Sequence, residues 1–271
     1  MTHLAVARKD FRDALRSRTL WALYLLFLLF AAGTTLVYVT FFGGTGMQTG
    51  GLVQFLRRPT ALLVSITALL AGYKSIAGER ETGSLALLLS LPHSRLDVVL
   101  GKTLGRTAVV GVPVAAGFVV PFVFGLVRID GFSVATFVGF TLLTLLFALA
   151  YVAVAVGLSA TTGSTGVAAT LAFGFWFGFQ FAWGALVTVA ELAASGFSLA
   201  AALGSEPLWA RLLKSVSPSA GYSRATNALV GGSPQSADVV VLQDWFGAVV
   251  LCLWVVVPLA VGYWTFEHAD L

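Results

Sequence analysis

The residues of this chain that could do chemistry lie almost entirely outside its apolar runs. Glu79, Arg80 and Glu81 close one such run, and Arg95, Asp97, Lys102 and Arg106 follow shortly after. Alternating charges of this kind suit ion pairing with another chain, whereas catalysis needs a nucleophile beside a base, or clustered His, Asp and Glu. Serines do occur inside the apolar runs, but no histidine or carboxylate accompanies them there to activate one. His3, His93 and His268 lie far apart and outside those runs, which is not the clustered ligand set that a metal or haem needs. Cys252 is the single cysteine, sits inside the last apolar run and has no partner for a disulfide. Gly101-Lys102-Thr103 imitates the end of a phosphate-binding loop. That loop requires glycine five residues before Gly101, where Leu96 stands, and it follows a strand, whereas this stretch reads as helix. The chain is expected to hold no catalytic, nucleotide, cofactor or metal site of its own.

Composition identifies the elements that position these charges. The chain is 58% hydrophobic and 10% charged, with mean hydropathy +0.92, against roughly 45–50% and about 25% in soluble domains. A water-soluble fold is thereby excluded, and most of the length is needed to cross a bilayer. A net charge of +4 and a pI near 9.5 raise the question of nucleic acid, but ten of the 16 Lys and Arg fall in two clusters, Arg8 to Arg18 and Lys74 to Arg106, each beside an apolar run. That is a topology signal and not a nucleic-acid footprint.

A helix crossing the hydrocarbon core needs about 20 apolar residues. Six spans are expected, at 20–42, 59–78, 104–127, 132–158, 167–190 and 245–266. The second begins at Pro59 and reaches full length only if Lys74 snorkels to the interface. The third contains Pro113 and Pro121, which neighbouring helices accommodate at the cost of a kink. The long uncharged stretch from Gly131 to Ala190 divides at Thr161-Thr162-Gly163-Ser164-Thr165-Gly166, a polar turn-forming cluster. The first run is preceded by basic residues and contains Ala31-Ala32-Gly33, as a cleaved signal would, but it continues well past Gly33 and is expected to remain as a helix.

Six spans put both termini on one side. With that side in the cytosol, Arg8, Lys9, Arg12, Arg16, Arg18, Lys74, Arg80, Arg95, Lys102 and Arg106 face inward. Arg57, Arg58 and Arg128 face outward close to a span, and Arg211, Lys214 and Arg224 are too distant to count. The expected location is the cell membrane with both termini cytosolic.

Two further segments carry a pattern. In residues 1–19, Leu4, Ala7, Phe11, Ala14 and Leu15 recur at helical spacing opposite Arg8, Lys9, Asp10, Arg12, Asp13 and Arg16, as in a helix lying along the cytosolic membrane surface, or in a plain basic topology anchor. Residues 191–244 form the largest external segment. Leu208, Trp209, Leu212, Leu213 and Val216 there share one helical face, bounded by Pro207 and Ser217-Pro218, and this helix is expected to rest on or dip into the outer leaflet. Gly101 with Gly105, and Gly174 with Gly178, have the spacing that lets membrane helices approach closely. The aromatic run Phe173, Phe175, Trp176, Phe177, Phe179, Phe181 and Trp183 is compatible with helix packing, lipid contact or a hydrophobic path.

Between spans two and three, Gly78 to Gly83 makes a charged exit from the membrane and Ser84–Leu91 an apolar helix too short to span. Pro92 breaks it, and Ser94 with Asp97 forms the capping-box pattern of a new helix. On the residues alone, this is either a docking projection or an interfacial connector with topology-setting charges. The pattern Glu-x-x-x-Gly-(Ser/Thr)-Leu-x-Leu-Leu-Leu-(Ser/Ala)-x-Pro-x-x-Arg followed by Leu-Gly-Lys is met by Glu79 to Arg95 and Leu100 to Lys102. In this the chain resembles the ABC-2 permease family, including the membrane subunit associated with nitrous-oxide reductase maturation.

The resemblance implies an all-α integral membrane protein with six transmembrane helices, a cytosolic N-terminal amphipathic helix and a short coupling helix in the 79–103 segment. It implies an ATPase-coupling role for Glu79, Arg80, Glu81, Gly83, Ser84, Leu85, Leu88, Pro92 and Arg95. It also implies two copies of a cytosolic ATPase subunit that carries the ATP, a second permease subunit in a homo- or heterodimer, membrane lipid around it and no nucleic acid. The expected function is the permease half of an ATP-driven exporter. A non-transporting membrane scaffold or signalling subunit is the alternative. An ion-coupled transporter is disfavoured because spans one, four, five and six, and span three from Thr107 to Val127, hold no charge to bind a coupling ion.

Overall fold

A backbone in hydrocarbon has no water to bond, so apolar runs of this length must satisfy their N–H and C=O groups internally, and the helix does this locally. The structure, a computed structural model, describes residues 3–15, 18–43, 46–85, 94–197, 206–231 and 239–269, and the regular elements among them are all helical. They are α1 (His3–Leu15), α2 (Arg18–Phe42), α3 (Thr49–Gly72), α4 (Ala77–Glu81), α5 (Arg95–Arg128), α6 (Val134–Ala160), α7 (Thr165–Phe177), α8 (Trp183–Ala194), α9 (Leu208–Ser215), α10 (Pro218–Val230) and α11 (Phe246–Glu267). A π-helical turn, Gly178–Ala182, joins α7 to α8. Six segments are long and apolar enough to cross a membrane: Leu20–Phe42, Thr49–Glu81, Arg95–Arg128, Val134–Ala160, Thr165–Ala194 and Phe246–Glu267.

Helix α6 is the hub, packed against α3 on one side and α11 on the other. Its core is aromatic: the rings of Phe147 and Tyr222 stack with centroids 4.6 Å apart, and Phe118 and Phe140 stack at 5.3 Å. The α7–α8 span is peripheral, with 11% of its most apolar window buried against 56% for α6. The aromatic run accordingly divides. Phe175 and Phe179 pack against Trp254, while Phe173, Phe177 and Phe181 stay about half exposed.

Two spans differ in extent from the sequence reading. The second helix begins at Thr49, ten residues before Pro59, and carries Arg57 and Arg58 within it. Tertiary partners make this possible: Arg57 Nη1 donates to Asn227 Oδ1 at 2.6 Å and to the Ser223 carbonyl at 3.2 Å, and Gln54 Nε2 donates to Asn227 Oδ1 at 3.0 Å. The third span is continuous with the helix that opens at Arg95, so the two expected pieces, the end of the 79–103 segment and 104–127, are one helix of 34 residues. Its start is the expected capping box, with the Ser94 hydroxyl accepting from Asp97 N–H and the Asp97 carboxylate accepting from Ser94 N–H.

The described part of the 191–244 segment packs against the bundle. Helices α9 and α10 form a hairpin, and Tyr222 of α10 reaches Thr144 of α6, hydroxyl to hydroxyl at 2.8 Å. Thr144 is ten residues into α6, about 15 Å along its axis, roughly half the hydrocarbon thickness. Non-helical backbone at that depth needs partners inside the protein. Two indoles supply them, Trp183 donating to the Leu213 carbonyl and Trp254 to the Val216 carbonyl, both at 2.8 Å, and the Ser217 hydroxyl caps α10 by accepting from Ala220 N–H. The apolar face of α9 points away from the bundle, with Leu208, Leu213 and Val216 all more than 40% exposed.

Helix α1 lies against the start of α5, where two glycines make room. A Cβ at Gly101 would stand 2.6 Å from that of Val6, and one at Gly105 would stand 2.9 Å from that of Asp10. Gly174 and Gly178, with the same spacing, meet nothing within 4 Å. Gly101→Val is therefore expected to lever α1 off α5 and lower stability by about 1–3 kcal/mol, the usual cost of overpacking. Gly174→Val is expected to leave the melting temperature of the purified monomer within a degree or two, and thermal unfolding in detergent compares them.

Candidate functional site at the basic end

One end of the bundle gathers α1, α4, the first turns of α5 and α7, and the last turn of α11. Among the described residues, it holds the members of the two basic clusters and those expected to do the coupling. The turn after α3 brings the chain back against α6, where the buried Ser159 hydroxyl accepts from the N–H groups of Ile76 and Ala77 at 3.1 and 3.0 Å. These are N-terminal helix donors with no partner inside α4 itself, so Ser159 fixes where α4 starts.

Glu79, on α4, points inward. Its Oε1 lies 2.5 Å from Lys102 Nζ, and the same ammonium reaches Asp10 Oδ1 at 3.3 Å. Arg106, one turn further along α5, adds a second cation to Asp10, Nε to Oδ2 at 2.9 Å and Nη2 to Oδ1 at 3.1 Å. The side chains of Lys102 and Asp10 are each only 8% exposed. Three elements that are far apart in sequence, α1, α4 and α5, are thus joined through one buried ammonium.

Glu81 Oε2 accepts from Thr165 N–H at 3.1 Å. That places a carboxylate on the first turn of α7, where the helix dipole favours negative charge. Thr82 and Gly83 end α4. Gly83 has φ +72°, a left-handed conformation that costs glycine nothing and that a side chain resists. Ser84 is exposed, its hydroxyl 3.0 Å from that of Thr82, whereas Leu85 is buried at 1% exposure. Arg80 is half-buried beside Gly163, its Nε 3.9 Å from where a Cβ there would stand. Leu88 and Pro92 lie outside the described residues.

Arg95 has an intrachain role. Its Nη1 donates to the carbonyls of Phe266, Glu267 and Ala269, with the guanidinium 5.3 Å from the Phe266 ring centroid. A cation on the last carbonyls of α11 satisfies orphan acceptors and opposes the negative end of the helix dipole. In the first turn of α5, Asp97 Oδ1 accepts from His3 N–H at 3.0 Å, tying down α1.

The structure thus divides the expected site. Glu79, Glu81, Leu85 and Arg95 hold the basic end together, while Gly83 and Ser84 present themselves outward. Sequence reasoning did not assign Asp10, Arg106, Ser159 and Thr165 to this assembly. Lys102 carried a signal, since it ends the Leu-Gly-Lys part of the motif, but its partners did not.

A sequence model of the family described as "ABC-2 family transporter protein" matches residues 4–271. The chain belongs to this ABC-2 transporter family. Two curated relatives are each named "Probable ABC transporter permease protein NosY". The one from Pseudomonas aeruginosa is 33% identical over 184 residues, covering 64% of this chain and 65% of the relative. The one from Stutzerimonas stutzeri is 31% identical over 177 residues, covering 64% of each. The chain therefore spans a little under two thirds of the length of either relative. ABC-2 membership and six apolar helices together make this a multi-pass membrane protein. Of the described residues of the ABC-2 motif, Glu79, Leu85, Arg95 and Lys102 help to assemble the basic end.

Proposed function

We propose that this ABC-2 protein is the membrane-spanning permease subunit of an ATP-driven exporter, paired with a second permease subunit, homologous or identical. Two separate ATPase subunits, which carry the ATP, dock at its basic end around residues 79–95. On this reading the basic end and both termini are cytosolic, as the positive-inside rule requires of its ten Lys and Arg, and the membrane is the cell membrane. The relatives named as ABC transporter permeases support the assignment.

The observation that carries the coupling part is the way α4 is pinned. Ser159 holds its start, Lys102 holds Glu79, and Thr165 holds Glu81. A soluble motor moves a membrane domain only through a rigid element with different contacts in its two states. A force applied beyond Gly83 is passed by these three contacts into α5, α6 and α7. A loosely tethered loop would absorb it.

The test is co-purification of the ATPase with the permease and the stimulation of its hydrolysis by the permease in proteoliposomes. Ser84→Arg, on an exposed side chain, and Glu81→Lys are each expected to reduce recovery of the ATPase at least tenfold, or to leave binding intact with hydrolysis no longer coupled. Melting temperatures of the permease alone show whether its fold is intact. Wild-type binding and coupling in both variants would overturn the docking assignment, and a wild-type permease that captures no ATPase would favour the scaffold reading.

A further inference from the structure

The charged network at the basic end also bounds a cavity of about 610 Å³, roofed by α1 and walled by α2, α3 and α5. This is within the size range of small-molecule and cofactor sites. Its lining is two-sided. The deeper part is apolar, formed by Leu20 and Leu23 of α2, Leu70 and Ala71 of α3, and Val109 of α5. The outer part carries seven charged groups. Four of them, Asp10, Glu79, Lys102 and Arg106, are already paired with one another. The remaining three are Lys9, Lys74 and Asp13, and all are exposed. Neither ammonium has a carboxylate partner among the described residues; Lys74 stands 5.9 Å from the centroid of the Tyr73 ring.

The geometry points to a binding site for one anionic phospholipid of the leaflet at the basic end, with its phosphate between Lys9 and Lys74 and an acyl chain in the slot between Leu23, Leu70 and Val109. Three observations carry it independently of the permease reading. The apolar slot belongs to three membrane-spanning helices, so hydrocarbon is what surrounds it. The polar mouth is formed at the charged ends of those apolar helices, where a lipid headgroup would sit. The charge left after internal pairing is two cations against one carboxylate, which favours an anionic over a zwitterionic headgroup. An anionic lipid here fills the gap beneath α1, making the lipid a wedge between that helix and the spans.

Each lysine at a membrane surface strengthens anionic-lipid binding about fivefold. The test is native mass spectrometry on the delipidated full chain in detergent, titrated with phosphatidylglycerol or phosphatidylcholine. One phosphatidylglycerol is expected to be retained per chain in clear preference to phosphatidylcholine. Lys9→Ala/Lys74→Ala is expected to weaken it roughly thirtyfold. Arg8→Ala/Arg12→Ala removes two exposed cations of the same helix from outside the cavity and is expected to change retention less than threefold. Ala71→Phe fills the slot, leaves every charge in place and is expected to abolish retention.

Equal retention by the double-lysine variant, or equal losses from the two double variants, would overturn the site in favour of diffuse surface attraction. Equal retention of phosphatidylcholine would overturn the charge assignment. Displacement of the lipid by millimolar glycerol phosphate would point to a soluble phosphate ligand and overturn the lipid. The lysine variants alter exposed side chains only, so the proposal stays testable even if Ala71→Phe does not fold.

Discussion

Lys102→Ala is expected to destabilise the protein by about 3 kcal/mol, the low end of the cost of removing one partner from a buried ion pair. The magnitude follows from burial. Pairs between exposed side chains contribute roughly 0–1 kcal/mol because water screens them and their side chains must be ordered. Lys102 and Asp10, at 8% exposure each, have little such screening, and Glu79 at 28% has only part of it. Without the ammonium, Asp10 keeps Arg106, but Glu79 loses its only cation among the described residues, while its Oε2 lacks a hydrogen-bond partner there. The uncompensated carboxylate is therefore the dominant cost.

The double variant Lys102→Met/Glu79→Gln removes both charges at once and is expected to recover more than half of the loss, since a neutral pair carries no such penalty. Thermal or denaturant unfolding in detergent measures both. A loss below about 1 kcal/mol for Lys102→Ala would show that the network behaves as a surface pair. Removing Lys102 is also expected to expose α1 to proteolysis, because Asp10 is then held to α5 by Arg106 alone.

Gly157→Ala is expected to destabilise by about 2 kcal/mol, although alanine is by far the better helix former. The two effects have opposite signs. Replacing glycine by alanine in a helix interior gains about 1 kcal/mol from reduced backbone entropy in the unfolded chain. At Gly157 the new methyl would stand 2.8 Å from the Pro258 carbonyl carbon, and a Cβ at Gly262 on the facing helix would stand 2.6 Å from Gly157 Cα. The obstacles are main-chain atoms, so no rotamer change relieves them, and α6 must move away from α11 along the most extensive helix contact of the bundle.

Overpacking of that kind costs roughly 1–3 kcal/mol and sometimes more, enough to overcome the propensity gain. Gly157→Leu is expected to give no folded protein, judged by monodispersity on size-exclusion chromatography. Gly174→Ala, in open space, isolates the propensity effect and is expected to be neutral or slightly stabilising. A stabilising Gly157→Ala would mean that α6 and α11 are not in contact there.

The contrast between these glycines shows where sequence reasoning stops. Gly101, Gly105, Gly174 and Gly178 offer the same spacing, yet the first two receive α1 and the other two face outward. Spacing reports that two small residues share a helix face, whereas the partner that needs the space comes from elsewhere in the chain. The charges behave likewise. Glu79, Arg95 and Lys102 stood out in the sequence as a surface motif, but their partners are Lys102 itself, the end of α11 and Asp10. Arg57 could be read only as a flanking residue until Asn227 and the Ser223 carbonyl were seen to receive it inside α3.

By itself the sequence determined what short-range physics controls. Runs of about 20 apolar residues must be helices in a bilayer because each backbone bond closes within four residues. The Ser94–Asp97 cap and the Pro207 and Ser217-Pro218 boundaries are equally local. Only the tertiary structure decided which charges pair, how deep the α9–α10 hairpin enters and which glycines are contact points. Those outcomes depend on residues 23 to 174 positions apart, and no periodicity within one helix specifies what will lie against it.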